Sequence, residues 1–525
     1  MRPTALSLLC VFAVAAPLLP AQHSQVPADA QARAARAYAA AVKGGPLTLR
    51  AFLDQFPKGA DLHVHLSGAV YAETFLKDAA EDGLCVNPQT LSFAKPPCLA
   101  PLEPAKEVDA GLNDPEQDLY DRMVDSFSMR SFVPTPGFSG HDQFFSTFDH
   151  FDGLDKRHQG EWVDEVVRRA ADQNQQYLEL MSTPAFSHAK TIADQIGWNP
   201  DFAVMRRELL THGLRDEVNE DVNAALGMRD QRMRLEHCGT AQPAPACKVT
   251  VRYLYQVLRG HPPQEVFAQA LLGFETVQAA IQAHDDTWVG INFVMPEDGI
   301  LSMRDYTLQM RMVGFLHGLY PSVHISLHAG ELAPGMVPPE GLRFHIRQAV
   351  ELAHAERIGH GVDVMDETNA NQLLREMTAK HVMVEINLTS NAGILGITGD
   401  RHPFPVYLAH HVPVALSTDD EGVSRIDLTH EYVRAALTYH LSYAQLKMLA
   451  RTGLEHSFLP GASLWAHEDL FTQPTAACRG EVLGGDHPGK ACESFLSGSQ
   501  KAAEQWELER RFRAFEAQFQ SAGRP

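Results

Sequence analysis

The sequence predicts an α/β protein, a (β/α)8 TIM barrel with helical and loop insertions and a C-terminal extension. Short β-branched or apolar runs alternate with helical patterns, and repeated strand-then-helix units imply parallel strands. Eight such runs occur, which is the number that closes a barrel. They cover residues 61–66, 176–183, 249–257, 287–294, 323–331, 357–364, 381–390 and 412–420.

Helical patterns separate several of these runs, as at 343–355, 366–379 and 428–439. Two stretches, 84–160 and 184–248, are too long for plain crossovers, so we predict insertions there. The segments, in chain order, are a signal peptide (1–21), an N-terminal helical segment (22–50), the barrel (51–470) and a C-terminal extension (471–525). A charged amphipathic helix is predicted near the end of the extension, over residues 501–520.

The first residues predict export. Arg2 supplies a positive charge, residues 5–20 are almost wholly apolar, and Ala21 is a small residue suited to cleavage. The alternative is an N-terminal membrane anchor, but the run is shorter than the roughly 18–20 apolar residues of a span. We therefore expect an exported chain, periplasmic or extracellular, with no stable membrane span.

The composition of the 525 residues is that of a globular protein, with 45% hydrophobic and 21% charged residues. The net charge of −21 gives the chain no general attraction for phosphate, so we expect no nucleic-acid partner. A small neutral substrate is compatible with that charge, and an oligomer is possible. The 26 histidines matter because histidine is the commonest metal ligand.

Six cysteines follow the predicted signal peptide, and an even number in an exported chain favours disulfides. Closeness in sequence is the argument for the pairing, and the alternative is that some cysteines are free and buried. The predicted pairs are Cys85–Cys98, Cys238–Cys247 and Cys478–Cys492.

Ligand-type and acid–base side chains lie at the ends of four predicted strands, where (β/α)8 barrels carry their functional residues. They are His63, His65, His328, Glu331, His360, Asp419 and Asp420. His63 and His65 are two residues apart on a strand and so point to the same side. Each residue alone could be a core histidine, a turn residue or a helix cap. If all of them were, four separate strand ends would have acquired ligand-type or acid–base residues by coincidence. Three imidazoles and a carboxylate suit zinc with an open position.

These residues fall in motifs that resemble those of the adenosine deaminase family of metal-dependent amidohydrolases. The motifs are PKGADLHVHL (57–66), HAGE (328–331), RIGHG (357–361) and STDD (417–420), in family order. The signal peptide, the insertions and residues 293–298 (FVMPED) are similar to the secreted, growth-factor-type branch. The other zinc deaminase class uses HxE with PCxxC, and the second cysteine of that motif is missing after Cys98.

The resemblance implies hydrolytic deamination of a purine nucleoside, adenosine and 2′-deoxyadenosine, to inosine and ammonia. It implies one Zn²⁺ per chain, bound by His63, His65, His328 and Asp419. Zinc would lower the pKa of a water towards about 7. His360 would orient that water and take its proton, while a protonated Glu331 gives a proton to N1 of the purine. Asp420 would hydrogen-bond N7.

The predicted substrate contacts are Ser67, Met295, Gly330 and Asp420. Three positions depart from the family pattern. Ser67 stands where an acid is usual, Met295 where the family usually has glycine, and Glu421 where it usually has proline. The metal and catalytic residues are therefore intact, whereas the sugar-side contacts differ.

Other functions stay open. One is a deaminase of another aminated purine or modified nucleoside, although export and negative charge disfavour phosphorylated substrates. A second is a non-catalytic secreted barrel protein. A third is an amide or ester hydrolase, but many of those hold two metals bridged by a modified lysine on the fourth strand, and residues 287–294 contain no lysine.

Three smaller features have two interpretations each. Phenylalanines at helical spacing are predicted to pack in the core or a lid, and the alternative is that they line the purine pocket; they are Phe144, Phe145, Phe148 and Phe151. Ser390 and Asn391 either face the site or cap a helix. His402, His410 and His411 are predicted to be surface or loop residues.

Overall fold

The structure is a computed structural model that describes residues 28–519; the predicted signal peptide at 1–21 lies outside the described residues. Within the described range the strands are β1 (Gly59–His65), β2 (Cys85–Asn87), β3 (Ser92–Ala94), β4 (Glu103–Pro104), β5 (Gln175–Ser182), β6 (Thr250–Leu258), β7 (Trp288–Val294), β8 (His324–Ala329), β9 (Arg357–His360), β10 (Met383–Ile386) and β11 (Val414–Leu416).

The α-helices cover the barrel and build the insertions. They run over Ala28–Gly44, Pro46–Gln55, Leu66–Ala69, Ala72–Glu81, Ala105–Ala110, Asp114–Ser126, Gly140–His150, Gln159–Asp172, Ser187–Ile196, Phe202–Thr211, Val218–Leu235, Pro263–Gln282, Ile300–Leu319, His345–Glu351, Ala370–Ala379, Leu388–Leu395, Phe404–Ala409, Glu421–Ser424, Leu428–Tyr439, Tyr443–Glu455, Lys490–Ser497 and Gln500–Ala517. Among residues 28–519, no helix has both the length and the apolar character needed to cross a membrane.

Eight parallel strands, β1 and β5–β11, form one sheet whose spatial order follows the chain. Each predicted run overlaps one of these strands, so the (β/α)8 prediction is confirmed. A parallel bridge between Val64 and Asp419 joins the segment after β11 to β1. The Asp419 N–H donates to the His63 carbonyl at 2.8 Å, and the His65 N–H donates to the Asp419 carbonyl at 3.2 Å. We call this closing contact the seam of the barrel.

The strands are apolar because helices cover the outside of the barrel and side chains fill its inside. Every residue of β5 and β7 is buried. A chain of charged groups also crosses the interior. The Arg357 guanidinium lies 2.6 Å from Glu179 and 2.7 Å from Glu385, and it stacks over the Phe458 ring at 3.8 Å. Burial of these charges is tolerated because each one is paired.

Arg357→Leu should lower the free energy of unfolding by about 3–5 kcal/mol, because it leaves two carboxylates buried without their cation. Chemical denaturation of the purified protein measures this change. The control is Arg304→Leu, since Arg304 is 58% exposed and pairs with its neighbour Asp305. We expect that control to leave stability nearly unchanged, because the effect of an exposed ion pair is screened by solvent. Equal stability of the two variants would contradict the prediction.

The predicted insertions and extension contain the three disulfides, with the pairing expected from the sequence. The first insertion holds a small antiparallel sheet of β3, β2 and β4, followed by helices. The second is helical. The C-terminal helix Gln500–Ala517 packs at the amino-terminal end of the barrel, where Glu504 accepts hydrogen bonds from Gln176 and Thr250. This helix does not cover the opposite end of the barrel, where the predicted site residues lie.

Candidate functional site

Four predicted metal ligands converge at the carboxyl ends of the strands. The Nε2 atoms of His65 and His328 are 3.1 Å apart, and Asp419 Oδ1 lies 3.3 Å from His65 Nε2 and 3.4 Å from His63 Nε2. In a tetrahedral zinc site with bonds of about 2.0–2.1 Å, ligand atoms are about 3.3 Å apart. His63 Nε2 is buried and has no hydrogen-bond partner. The four side chains therefore fit one metal ion.

Each imidazole of this set is oriented through its other nitrogen. His63 Nδ1 lies 2.6 Å from Glu385, and His328 Nδ1 lies 2.7 Å from Asn292. His65 Nδ1 contacts the side-chain amide of Gln256. These contacts direct all three Nε2 atoms to the common centre, which is how protein metal sites hold their histidines.

Sequence reasoning missed these three orienting residues. Glu385, Asn292 and Gln256 lie within β10, β7 and β6, in runs that are otherwise mostly apolar. A polar residue inside a buried strand needs a partner, and that is the signal that would have found them.

Glu331 and Asp420 are buried carboxyl groups beside the metal ligands. Glu331 Oε1 and Asp420 Oδ1 have no hydrogen-bond partner. Burial, together with the charge of Asp419, raises the pKa of both groups well above the usual range. A raised pKa favours the protonated form of each group. Gly68 makes room for Asp420, because a Cβ there would lie 1.5 Å from Asp420 Oδ1.

Glu297 holds the loop that carries Glu331. Its carboxylate accepts the N–H groups of Gly330 at 3.0 Å and Glu331 at 2.7 Å, and it lies 2.5 Å from His345 Nδ1. Burial alone would raise the pKa of Glu297, but the hydrogen bond and charge of His345, with Arg259, lower it to about 2. Glu297 is thus a permanent anion that orients a neutral acid, and the sequence prediction missed it.

His360 ends β9 with a left-handed backbone (φ 68°). Its Nε2 lies 3.8 Å from Asp419 Oδ2, and its Nδ1 lies 2.9 Å from Asn391 Nδ2. Asn391 therefore acts on the site by hydrogen-bonding His360. His402 lies in a loop, in agreement with the prediction of a surface or loop residue, but it is only 2% exposed, and its Nε2 lies 3.0 Å from Asn391 Oδ1.

A cavity of about 430 Å³ opens onto these groups. Its roof is the helix Gly140–His150 of the first insertion, which we call the roof helix. Phe144, Phe145 and Phe148 line the cavity, and Phe151 instead packs on Phe75 with ring centroids 4.5 Å apart. The phenylalanines thus serve both predicted purposes, packing and lining.

The roof helix is tied to the barrel at its first turn. His141 Nε2 lies 3.1 Å from Asp298, which follows β7. Gly140 packs so closely on the helix after β10 that a Cβ would lie 1.9 Å from the Gly393 carbonyl oxygen. These contacts hold the aromatic side chains over the metal ligands.

Comparison with known proteins agrees with this arrangement. The sequence profile of the adenosine deaminase family matches residues 160–464, more than half of the chain. The chain belongs to the adenosine deaminase family. An adenosine deaminase of Escherichia coli (strain SE11) is 36% identical over 137 residues, which are 26% of this chain and 38% of the relative. The chain thus spans well under half of the length of that relative.

Two solved structures share the fold. An amidohydrolase from Burkholderia ambifaria with bound Zn has a TM-score of 0.52 at 16% identity, covering 90% of this chain and 94% of its own. The apo N6-methyl-AMP deaminase from Arabidopsis thaliana has a TM-score of 0.50 at 22% identity, covering 78% of this chain and 94% of its own.

The substrate side of the cavity departs from the adenosine deaminase family pattern as the sequence indicates. Ser67, Met295 and Asp420 line the cavity. Gly330 is not among the residues that line the cavity, and its role as a substrate contact stays a prediction. It is instead held in a left-handed conformation (φ 75°), where a Cβ would lie 2.5 Å from Asp363 Oδ1.

Met295 keeps the backbone shape that glycine usually provides in the adenosine deaminase family. Its φ is 88°, a value that side-chain-bearing residues rarely adopt. The side chain is 40% exposed and lies against Gly260, where a Cβ would be 2.8 Å from Met295 Cε. The third departure, Glu421, is buried and pairs with Arg169 at 2.5 Å, away from the metal ligands.

Proposed function

We propose that the chain is a zinc-dependent deaminase that hydrolyses adenosine, and 2′-deoxyadenosine, to inosine and ammonia. The observation that carries this proposal is the pair of buried carboxyl groups, Glu331 and Asp420, each with one oxygen that has no hydrogen-bond partner, beside a four-residue metal site in one cavity. Zinc suits three imidazoles and one carboxylate, and when bound it lowers the pKa of water so that hydroxide is available near neutral pH.

The residues of the chain supply the other requirements of the reaction. Attack on C6 of the purine needs N1 to accept a proton, and a protonated Glu331 provides it. Asp420, protonated by the same physical causes, donates a hydrogen bond to N7 and so sets the orientation of the ring. His360 faces the same cavity and orients the attacking water. The roof helix excludes bulk water from the reacting atoms.

The lining of the cavity favours an uncharged nucleoside. Among the described residues that line it none is lysine or arginine, and Asp149 adds a negative charge. A phosphate would find no cation there and would be repelled by that carboxylate. The cavity volume of about 430 Å³ falls within the range of small-molecule sites.

The ultraviolet spectrum of adenosine over time, with purified zinc-loaded mature protein, tests this function. We expect a chelator-sensitive shift towards inosine with adenosine and 2′-deoxyadenosine, and a kcat/KM at least about 100-fold lower for 5′-AMP. A higher kcat/KM for 5′-AMP would overturn the nucleoside assignment. No shift with any of the three, despite bound zinc, would favour another aminated purine, consistent with the altered sugar side at Ser67 and Met295.

We also propose that the chain is exported after removal of residues 1–21. The three disulfides support this, because disulfides form and persist in oxidising compartments. The assignment to the secreted, growth-factor-type branch stays a prediction from the sequence.

A further inference from the structure

A buried row of three polar side chains leads to the far nitrogen of His360. His402 Nε2 lies 3.0 Å from Asn391 Oδ1, and Asn391 Nδ2 lies 2.9 Å from His360 Nδ1. The exposed fractions of His402, Asn391 and His360 are 2%, 0% and 1%. Because the row is sealed from solvent, each hydrogen bond in it must be satisfied by the next member.

The direction of these hydrogen bonds follows from one backbone group. The N–H of Phe404 lies 3.1 Å from His402 Nδ1, and a backbone N–H can only donate. His402 Nδ1 is therefore the acceptor, and the proton of this neutral ring is on Nε2. Burial also lowers the pKa of His402 to about 4, which keeps the ring neutral near pH 7.

The same logic passes through Asn391 to His360. Nε2–H of His402 needs an acceptor, so it faces the amide oxygen of Asn391, and the amide nitrogen of Asn391 then faces His360 Nδ1. An amide nitrogen only donates, so His360 Nδ1 accepts. The other groups near Nδ1 are farther away: Asn387 Nδ2 at 3.5 Å and Glu331 Oε1 at 3.7 Å.

We propose that His402, acting through Asn391, is a positioning residue that holds His360 as the neutral tautomer with its proton on Nε2. The inference rests on the proposed function and deepens it. Nε2 is the nitrogen on the side of Asp419, 3.8 Å from Oδ2. His360 thus presents a hydrogen-bond donor to the oxygen of the attacking water. This donor serves the first of the two tasks that the sequence predicts for His360, which is to orient the water.

Three variants distinguish this role from simple packing. Asn391→Asp replaces the donor by a second acceptor, so the proton of His360 should move to Nδ1. We expect kcat to fall by about 10- to 100-fold with KM within about threefold of wild type. His402→Gln keeps a donor towards Asn391 Oδ1 and should retain kcat within about threefold, whereas His402→Leu removes the donor and should behave like Asn391→Asp.

The tautomer itself is measured by ¹⁵N NMR of zinc-loaded mature protein labelled at histidine ring nitrogens. The His360 signals are assigned by their absence in His360→Gln. Wild type and His402→Gln should show the proton on Nε2, and Asn391→Asp should show it on Nδ1. A wild-type proton on Nδ1, or an Asn391→Asp variant with unchanged tautomer and kcat, would overturn the proposal.

Folding of each variant is checked by circular dichroism, and Asn391→Asp keeps the test decisive if His402→Leu does not fold. The tautomer is observed without substrate. A protein that shows the expected tautomer and yet leaves adenosine unchanged would therefore contradict the proposed function and not the positioning role of His402.

Discussion

Glu331→Gln should lower kcat for adenosine by about 100- to 10,000-fold, the range that general acid–base groups contribute. The amide keeps the size and a hydrogen-bond donor but has no proton to give to N1. Glu331 is otherwise without a hydrogen-bond partner at Oε1, so the substitution removes no structural contact of that atom. Steady-state kinetics by ultraviolet absorbance measure the change.

The control for this substitution is Glu340→Gln. Glu340 is an exposed glutamate in the connection after β8, the strand that also precedes Glu331. That variant should keep kcat within about twofold of wild type. Zinc content and thermal midpoint should be the same in wild type and both variants. Near wild-type turnover by Glu331→Gln with bound zinc would refute the acid role. Inactivity of the wild type towards every purine tested would favour a non-catalytic barrel protein.

His328→Asn should yield a chain with little bound zinc and a kcat/KM lower by more than about 1,000-fold. The expected loss is large because the metal contributes several kcal/mol to the transition state, and about 1.4 kcal/mol corresponds to tenfold in rate. His328 Nε2 is one of the converging ligand atoms, and its Nδ1 is already committed to Asn292. Elemental analysis of the dialysed protein gives the zinc content.

His324→Asn is the matched control, since His324 lies on the same strand at the opposite end of the barrel. It is 42% exposed and pairs with Glu356. This variant should hold one zinc ion per chain and retain activity within about twofold. Full zinc occupancy in His328→Asn, or loss of zinc in His324→Asn, would be inconsistent with the site described here.

Much of the fold, and the metal-ligating and catalytic residues of the site, could be predicted from the sequence. Parallel strands covered on both faces are continuous apolar runs, so the eight strands stand out from their flanking helices. Polar residues at the ends of such runs must face the mouth of the barrel. His328, two residues before Gly330, is a clear instance, because the strand ends at Ala329 and the loop begins there.

The residues that orient the metal ligands and His360 could not be predicted in the same way. The pairing of His63 with Glu385 joins residues 322 positions apart, and only the closed barrel brings them together. The burial of His402 depends on packing of the helix that starts at Phe404, which no local pattern shows. The sequence shows four phenylalanines at helical spacing over residues 144–151, but the position of the roof helix over the metal ligands depends on distant contacts at Gly140.

The seam of the barrel has a consequence for how the protein acquires its metal. The backbone of Asp419 joins the last strand segment to β1, and its side chain belongs to the metal site. An ion held by His63, His328 and Asp419 would cross-link both sides of the seam. Closure of the barrel and binding of the metal ion are therefore thermodynamically coupled. At about 1,000 times its dissociation constant, such an ion adds about 4 kcal/mol to folding. A chain that met no metal ion would thus be the first to open and be degraded, which makes metal supply a checkpoint for how much protein survives.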